Sequence, residues 1–315
     1  MNAFLIMLKN VIIFVLLAVP GYLLVKTKTV KPSDTGILST LLSWVGMPFL
    51  ILSGTLTINF TGEFTRSLLV VGAVGLLFIL LMILLSAVLT KRDGGKTRGI
   101  MRFAMIFANS GFLGIPLASA VFGSSSPIVI YIILLNILSN LLMFTVGVYL
   151  ISGDKSHVQV KKALLNPILI AFILGIVLNL CDVLKPLPEL LTFSDYFKHI
   201  VTPISMTVLG MKLGTVRFSS LFSRGGMYYT AFVRLVVFPV LSVIVLWAVG
   251  LFMPVDPDML LGTMIAFACP TAAMATAFAD KYNGDTENAV IYTLGNTVLS
   301  VITIPLLYWA LTAIF

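Results

Sequence analysis

The sequence predicts an all-α polytopic membrane protein, with ten transmembrane helices arranged as two inverted five-helix repeats and with broken helices 4 and 9 crossing. Three observations predict this fold. Apolar residues make up 59% of the 315 and charged residues only 10%, whereas about a quarter of a soluble domain is charged. Apolar segments of spanning length follow one another along the chain. One interrupted segment occurs twice, once in each half.

Ten apolar segments are long enough to cross a bilayer, which takes about 20 helical residues. Spans 1 to 10 are predicted at residues 4–25, 35–58, 67–90, 98–122, 127–151, 166–184, 199–216, 226–252, 258–280 and 286–313. Span 1 lacks a small-residue cleavage site and is followed by Lys26, so it is interpreted as a membrane helix and not as a signal peptide. Span 7 is the weakest prediction because it is short and contains Pro203 and Lys212.

Basic residues are concentrated in alternate connections. One side holds Lys26, Lys28, Lys31, Lys91, Arg92, Lys96, Arg98, Arg102, Lys155, Lys161, Lys162, Lys212, Arg217, Arg224 and Lys281. The other side holds Lys9, Arg66, Lys185 and Lys198. This bias predicts that the rich side is cytoplasmic and that both termini are extracytoplasmic, in a multi-pass protein of the cell membrane. The net charge of +8 therefore indicates membrane topology and not a nucleic-acid partner.

The two halves share short motifs in the same order. The interrupted segments read FANSGFLGIP at 107–116 and FACPTAA at 267–273, and VIY recurs at 129–131 and 290–292. The predicted repeats are residues 1–151 and 166–315, joined by a short cytoplasmic linker at 152–165. Because five spans per repeat is an odd number, the second repeat enters the membrane in the opposite direction, which is typical of transporters.

Pro116 and Pro270 are predicted to divide spans 4 and 9 into half-helices. Proline lacks an amide proton and clashes with the preceding turn, but it fits the first turn of a new helix. The N-termini of the second halves would offer about one positive charge in total to a carboxylate near mid-membrane. The C-termini of the first halves offset part of this charge, so helix dipoles alone leave the sign of the substrate open.

The charged side chains favour an anion. All twelve acidic residues map to loops or span ends, whereas a cation site in the membrane requires a buried carboxylate. Arg234 lies about 12 Å into span 8, at 1.5 Å per residue. It either binds an anionic ligand or extends to the cytoplasmic surface. Asp280, at the end of span 9, is the one candidate for proton coupling.

Candidate substrate-binding residues are the polar or helix-breaking groups at the two breaks and on facing spans. They are Asn109, Ser110, Gly111, Gly114, Pro116, Asn136, Cys269, Pro270, Thr271, Asn296 and Arg234. Asn109 is favoured because it sits at a break and its amide both donates and accepts. Ser139, Asn140 and Ser300 are interpreted as hydrogen bonds between helices. Neither a metal site nor a cofactor is predicted, and no HExxH or GxSxG motif indicates an enzyme.

At these residues the chain resembles the auxin efflux carrier family, which includes plant PIN-FORMED carriers and bacterial malate and malonate permeases. The resemblance rests on residues 109–116, on Pro270, on FADKYN at 278–283 and on IPLLY at 304–308. It implies a scaffold of spans 1, 2, 6 and 7, often dimeric, and a transport unit of spans 3–5 and 8–10 that moves as an elevator. The short linker, and the absence of a second proline after Pro270, favour a bacterial-type member.

The predicted function is secondary transport of small organic anions, mono- or dicarboxylates such as malate, with the substrate at the crossover of helices 4 and 9. Two alternatives stay open within transport: export of hydrophobic weak acids resembling auxin, and sodium- or proton-coupled antiport by a related fold. The predicted partners are the anion, the lipid bilayer and a second copy bound through the scaffold spans.

Overall fold

A computed structural model describes residues 3–182 and 188–314, and all regular structure in these ranges is helical. The α-helices are α1 Ala3–Lys26, α2 Thr35–Leu41, α3 Met47–Thr57, α4 Gly62–Leu89, α5 Gly95–Ile106, α6 Ile115–Phe122, α7 Pro127–Leu142, α8 Val148–Ser152, α9 Val160–Leu164, α10 Pro167–Leu180, α11 Glu189–Lys198, α12 Val201–Gly214, α13 Gly225–Phe232, α14 Phe238–Val249, α15 Pro257–Ala268, α16 Met274–Lys281 and α17 Thr286–Ile314. Lys185, which counts toward the charge bias, lies outside the described residues.

Within residues 3–182 and 188–314, seven helical segments are long and apolar enough to cross a membrane. They are Leu5–Lys26, Pro32–Thr57, Gly62–Leu89, Pro127–Ser152, Lys155–Leu180, Gly225–Val249 and Thr286–Ile314. These segments match predicted spans 1, 2, 3, 5, 6, 8 and 10, and the all-helical polytopic class is therefore confirmed. In the part of the chain that is described, spans 4 and 9 are each interrupted, and span 7 is represented by α12, a continuous helix of only 14 residues.

Predicted span 7, residues 199–216, corresponds to α12, Val201–Gly214. A further helix that the sequence did not predict, α11, precedes it and is separated from it by a turn at residues 199 and 200. The rings of Phe193 and Phe197 lie 5.4 and 4.7 Å from that of Phe49, while Tyr196 on the other face is 75% exposed. Hydropathy misses α11 because only one face of this amphipathic helix is apolar.

The break in span 4 is also displaced from its predicted position at Pro116. α5 ends at Ile106, residues 107–109 are non-helical, and a π-helical turn, Ser110–Gly114, leads into α6. Pro116 follows this turn by two residues, as Pro48 and Pro239 follow the π-helical turns Leu42–Gly46 and Val233–Val237. Since proline cannot donate to the carbonyl four residues back, these prolines accompany a local widening of the helix and not its end.

Span 9 breaks where the sequence predicts. α15 ends at Ala268, residues 269–273 are not helical, and α16 begins at Met274. Pro270 is therefore inside the break, in extended surroundings that suit its lack of an amide proton.

Two pairs of helices approach closely through glycine. α1 packs against α12, where a Cβ atom on Gly210 would lie only 1.8 Å from the Ala18 carbonyl oxygen. α3 packs against α10, where a Cβ atom on Gly175 would lie 1.8 Å from the Thr55 hydroxyl. In a bilayer, such contacts between small residues hold helices together because lipid leaves little hydrophobic drive for their association.

Contacts between distant loops define two ends of the bundle. At one end, Lys26 Nζ donates to the Val216 carbonyl at 3.4 Å, and Thr97 Oγ1 donates to Asp285 Oδ2 at 2.7 Å. We call this the basic end because the basic-rich connections, including the linker at 152–165, meet there. At the opposite end, Asn179 Nδ2 lies within hydrogen-bond distance of three carbonyl oxygens between residues 55 and 58.

Candidate substrate site

The two interrupted segments cross and pair through their backbones. Asn109 N–H donates to the Pro270 carbonyl at 2.7 Å, and Ala272 N–H donates to the Phe107 carbonyl at 2.8 Å. The pairing is an isolated antiparallel bridge between Ala108 and Thr271. Unpaired amides and carbonyls are costly away from water, so each break supplies partners for the other.

Arg234 caps the C-terminal ends of both first half-helices. Its Nε donates to the carbonyl of Cys269 at 2.9 Å, and its Nη1 contacts the carbonyls of Met105 and Ile106 at 3.1 and 3.0 Å. The side chain is 0% exposed, so it does not extend to the surface. These carbonyls carry the negative partial charge of the ends of α5 and α15. Two helix ends thus take the place of an acidic partner, while Nη2 has no hydrogen-bond partner among the described residues.

An asparagine from the following span binds a hydroxyl at each break. Asn136 Nδ2 donates to Ser110 Oγ at 2.9 Å, and Asn296 Nδ2 donates to Thr271 Oγ1 at 2.7 Å. Thr271 Oγ1 in turn donates to the carbonyl of Ala104 at 2.9 Å, near the end of α5. These four side chains are buried and hold each break against a continuous helix of its own half.

A cavity of about 940 Å³ extends from the crossover to the linker at the basic end. Its lining residues are Ser43, Trp44, Ala108, Asn109, Gly111, Phe112, Asn136, Asn140, Met143, Phe144, Val158, Gln159, Val160, Lys161, Lys162, Leu165, Asn166, Pro167, Ile168, Ala272, Ala273 and Met274. This volume is in the range of small-molecule sites. Lys161 and Lys162 are exposed at its mouth.

Three predicted site residues line this cavity: Asn109, Gly111 and Asn136. The Asn136 amide is already bonded to Ser110 and to Asn140 Nδ2, at 3.0 Å from the latter. The Asn109 side chain, by contrast, makes no hydrogen bond with any other described residue. Among the polar groups of the crossover that line the cavity, its amide is thus available to bind a solute.

The other predicted site residues lie behind the cavity wall. They are Ser110, Gly114, Pro116, Cys269, Pro270, Thr271, Asn296 and Arg234, all buried. Gly114 lies where the two broken segments cross. A Cβ atom there would lie 2.7 Å from Cys269 Sγ, so the absence of a side chain allows the segments to approach this closely. In this conformation these residues shape the crossover and do not face the cavity. Their direct contact with substrate stays a prediction.

Asp280, the predicted coupling residue, is exposed near the end of α16 and is not among the residues that line the cavity. Within the described ranges, no group of three or more His, Cys, Asp or Glu side chains is placed to hold a metal ion.

Several lining residues were not predicted from the sequence. The sequence indicates only a contact between helices for Asn140, although its spacing of four from Asn136 places both amides on one face of α7. Gln159, Lys161 and Lys162 belong to the linker, whose basic residues indicate topology but not a cavity wall. Trp44 belongs to span 2, and no local motif connects it with a crossover more than 60 positions later.

Comparison with known proteins agrees with this architecture. The sequence model of a family described as "Membrane transport protein" matches residues 5–308. An uncharacterized transporter of Methanothermobacter thermautotrophicus (strain Delta H) is 27% identical over 216 residues, which are 68% of this chain and 68% of that protein. Both descriptions indicate a transporter and not an enzyme. The family match covers nearly the whole chain, including both breaks, and the resemblance to auxin efflux carriers is confirmed: the chain belongs to the membrane transport protein family.

Proposed function

We propose that this protein is a secondary transporter of small organic anions, with mono- or dicarboxylates such as malate as the substrate class. The substrate binds at the crossover of spans 4 and 9 and moves by elevator-type alternating access. Ten spans form two inverted repeats in the cell membrane, with the basic end in the cytoplasm and both termini outside.

The capping of two helix ends by Arg234 carries the proposal of an anion. A half-helix end has roughly half an elementary charge, positive at the N-terminus and negative at the C-terminus. Arg234 offsets the negative ends of α5 and α15 by direct hydrogen bonds. The positive ends of the second half-helices are left without such compensation, and Met274, the first residue of α16, lines the cavity. A carboxylate is the ligand that this balance favours.

The charged side chains that line the cavity also favour an anion. Among its described lining residues are Lys161 and Lys162 but neither aspartate nor glutamate. A sodium or proton antiporter would require a carboxylate at this position to bind and release its ion. The antiport alternative therefore has the weakest support.

The position of the cavity supports movement of one unit against another. Trp44 and Ile168 on one wall belong to spans 2 and 6, which the family resemblance assigns to a scaffold. Asn109 and Met274 on the other wall belong to the broken spans, which it assigns to a transport unit. A substrate held between a fixed and a moving wall can be carried across when the second wall slides.

Corresponding contacts in the two halves support the inverted repeat. Asn136 bonds to Ser110, 26 positions earlier, and Asn296 bonds to Thr271, 25 positions earlier. Span 1 packs on span 7 through α1 and α12, and span 2 packs on span 6 through α3 and α10. Exchange of the two halves converts one pair into the other, as a pseudo-two-fold axis requires.

Transport by the purified protein in liposomes tests the proposal. We expect uptake of labelled malate or a related carboxylate, inhibited by excess unlabelled substrate and absent from protein-free liposomes. Each labelled carboxylate is measured with and without sodium and across a pH gradient, which also identifies the coupling ion. Movement of sodium or protons without any carboxylate would reject the proposed substrate class.

Export of a hydrophobic weak acid is the second candidate, and the apolar cavity wall favours it. Trp44, Phe112, Met143, Phe144 and Ile168 give the cavity a largely apolar surface beside its few polar groups. An aromatic acid would bury its ring there and leave its carboxylate at the crossover. Competition between labelled malate and indole-3-acetate or benzoate separates the two candidates: stronger displacement by the aromatic acids would favour export of weak acids.

A further inference from the structure

A lysine of the scaffold side faces the crossover from outside the large cavity. Lys212 lies in the last turn of α12 and is half-buried. It lines a second, small cavity of about 20 Å³ together with Asn109, Phe112 and Ala273 and with neighbouring residues of α12 and of spans 4 and 10. Three of these residues, Asn109, Phe112 and Ala273, line the large cavity as well. Lys212 and Asn109 thus border one space.

Lys212 differs from the other buried or half-buried cations, since no described residue forms a hydrogen bond or ion pair with it. Arg234 and Arg102 donate to backbone carbonyls, Lys26 donates to the Val216 carbonyl, and Lys198 pairs with Asp195. Within residues 3–182 and 188–314, Lys212 takes part in neither a hydrogen bond nor an ion pair. Removing an ammonium group from water without a partner is costly, so such a group attracts an anion when one is available.

The small cavity has the size of one carboxylate oxygen or one water molecule. A cavity of about 10–15 Å³ is enough to hold one water molecule. A whole dicarboxylate cannot enter it, but the body of a substrate can occupy the large cavity while one oxygen reaches between Asn109 and Lys212.

We propose that Lys212 binds the carboxylate of the substrate from the scaffold side and pairs with it opposite Asn109. This inference rests on the proposed function, since it assigns a residue to the recognition of the same anion. The two groups belong to different units, with Asn109 on a broken span and Lys212 on α12. Movement of the broken spans along α12 separates them, so the ammonium group holds the anion only while the site is open to the basic end.

Binding measurements on purified Lys212 variants test the assignment. We expect Lys212→Met to weaken binding of the carboxylate by about tenfold or more, because a charge-assisted hydrogen bond is lost. Lys212→Arg keeps the charge and should stay within a few-fold of the unchanged protein. Lys91→Met is the matched control, since Lys91 is exposed at the basic end and lines neither cavity.

The probes are acetate, succinate, malate and indole-3-acetate, each titrated by calorimetry, and folding is checked by thermal unfolding. If the unchanged protein binds none of the four acids, the proposed function is rejected and Lys212 loses its role with it. If it binds one of them and folded Lys212→Met binds equally well, the function stands and the assignment of Lys212 is overturned. Should Lys212→Met fail to fold, comparison of Lys212→Gln with Lys212→Arg decides the question by charge alone.

Discussion

Arg234 and Asn109 both lie at the crossover, but their hydrogen bonds indicate different roles. Arg234 is fully buried, and its Nε and Nη1 donate to backbone carbonyls of both broken spans. Asn109 lines the cavity with a side chain that no described residue binds. We therefore expect Arg234 to stabilise the fold and Asn109 to bind the substrate.

Replacement of Asn109 by alanine should reduce affinity without reducing stability. The side-chain amide of Asn109 makes no hydrogen bond with any described residue, so the alanine variant loses none of that kind. A bound carboxylate would lose one hydrogen bond, which corresponds to a roughly tenfold weaker affinity. Isothermal titration with the best carboxylate measures the first effect and thermal unfolding the second. Asn59→Ala, at an exposed position outside the cavity, serves as the control. Equal affinity in folded Asn109→Ala would place the substrate elsewhere.

Replacement of Arg234 by methionine should instead destabilise the protein. Three carbonyl oxygens lose a charged donor inside the bundle, at a cost of about 3 kcal/mol or more. The midpoint of thermal unfolding in detergent should fall by roughly 5 °C or more. Arg66→Met, at an exposed site of α4, should leave it unchanged. A midpoint that also stays unchanged in Arg234→Met would show that the two helix ends do not need this cap.

At the scale of the elements, the crossing of the two broken spans depends on one close contact. A Cβ atom on Gly114 would come within 2.7 Å of Cys269 Sγ, well inside van der Waals contact. Gly114→Ala therefore forces the spans apart and should lower stability by about 1–3 kcal/mol. The double variant Gly114→Ala/Cys269→Ala removes the sulfur and should recover most of the loss. Gly62→Ala, where a Cβ atom meets nothing within 4 Å, is the control for thermal unfolding. Absence of recovery in the double variant would contradict this account.

A polar cluster at the basic end joins α5, α13 and α17. Asp285 Oδ2 accepts hydrogen bonds from Thr97 Oγ1 and Asn288 Nδ2, both at 2.7 Å, and Arg224 Nη1 donates to Asn288 Oδ1 at 2.9 Å. Burial opposes ionisation of Asp285, but these hydrogen bonds and the charge of Arg224 outweigh it and lower the pKa of the carboxyl group. The ionised carboxylate thus stabilises the junction of the three helices.

This shift predicts how stability depends on pH. Because the pKa of Asp285 is lower in the folded protein, its contribution is complete above the unfolded pKa of about 3.9 and is lost as pH falls through the folded value. Asp285→Asn should therefore lower the unfolding midpoint at pH 7, and the difference from the unchanged protein should shrink below about pH 4. A constant difference from pH 7 to pH 3 would mean that ionisation of Asp285 is not its source.

At the scale of the whole molecule, the cavity is open at the basic end while the opposite end is closed. There the hydroxyl of Thr57, at the end of α3, hydrogen-bonds to that of Ser125, in the turn between α6 and α7. A Cβ atom on Gly54 would lie 2.5 Å from the Ser124 carbonyl oxygen, so the two walls approach closely. Under the proposed elevator this contact separates when the site opens to the other side.

A disulfide between Thr57→Cys and Ser125→Cys should hold the protein in this conformation. In a background carrying Cys181→Ser, which removes the exposed native thiol, oxidation is expected to abolish carboxylate uptake and dithiothreitol to restore it. Substrate binding from the basic end should persist in the oxidised protein. The single cysteine variants control for effects of oxidation alone. Full uptake with the disulfide formed quantitatively would contradict a moving boundary between α3 and the α6–α7 turn.

The sequence by itself determined the class of the protein, the positions of the seven spans that the described structure shows as long helices, and the presence of two interrupted helices. These properties depend on local composition: a residue is apolar, basic or unable to donate an amide proton whatever it contacts. Asn109 could be singled out for the same reason, since a polar amide at a helix break is visible in the chain itself.

Only the tertiary structure decided what the buried groups contact. It showed that Arg234 binds carbonyls 35 and more than 120 positions away, that the break in span 4 precedes Pro116, and that the linker forms part of the cavity wall. Contacts of this kind depend on the angle and depth at which helices cross. Those quantities are set by packing between segments distant in the chain, and no local pattern of residues records them.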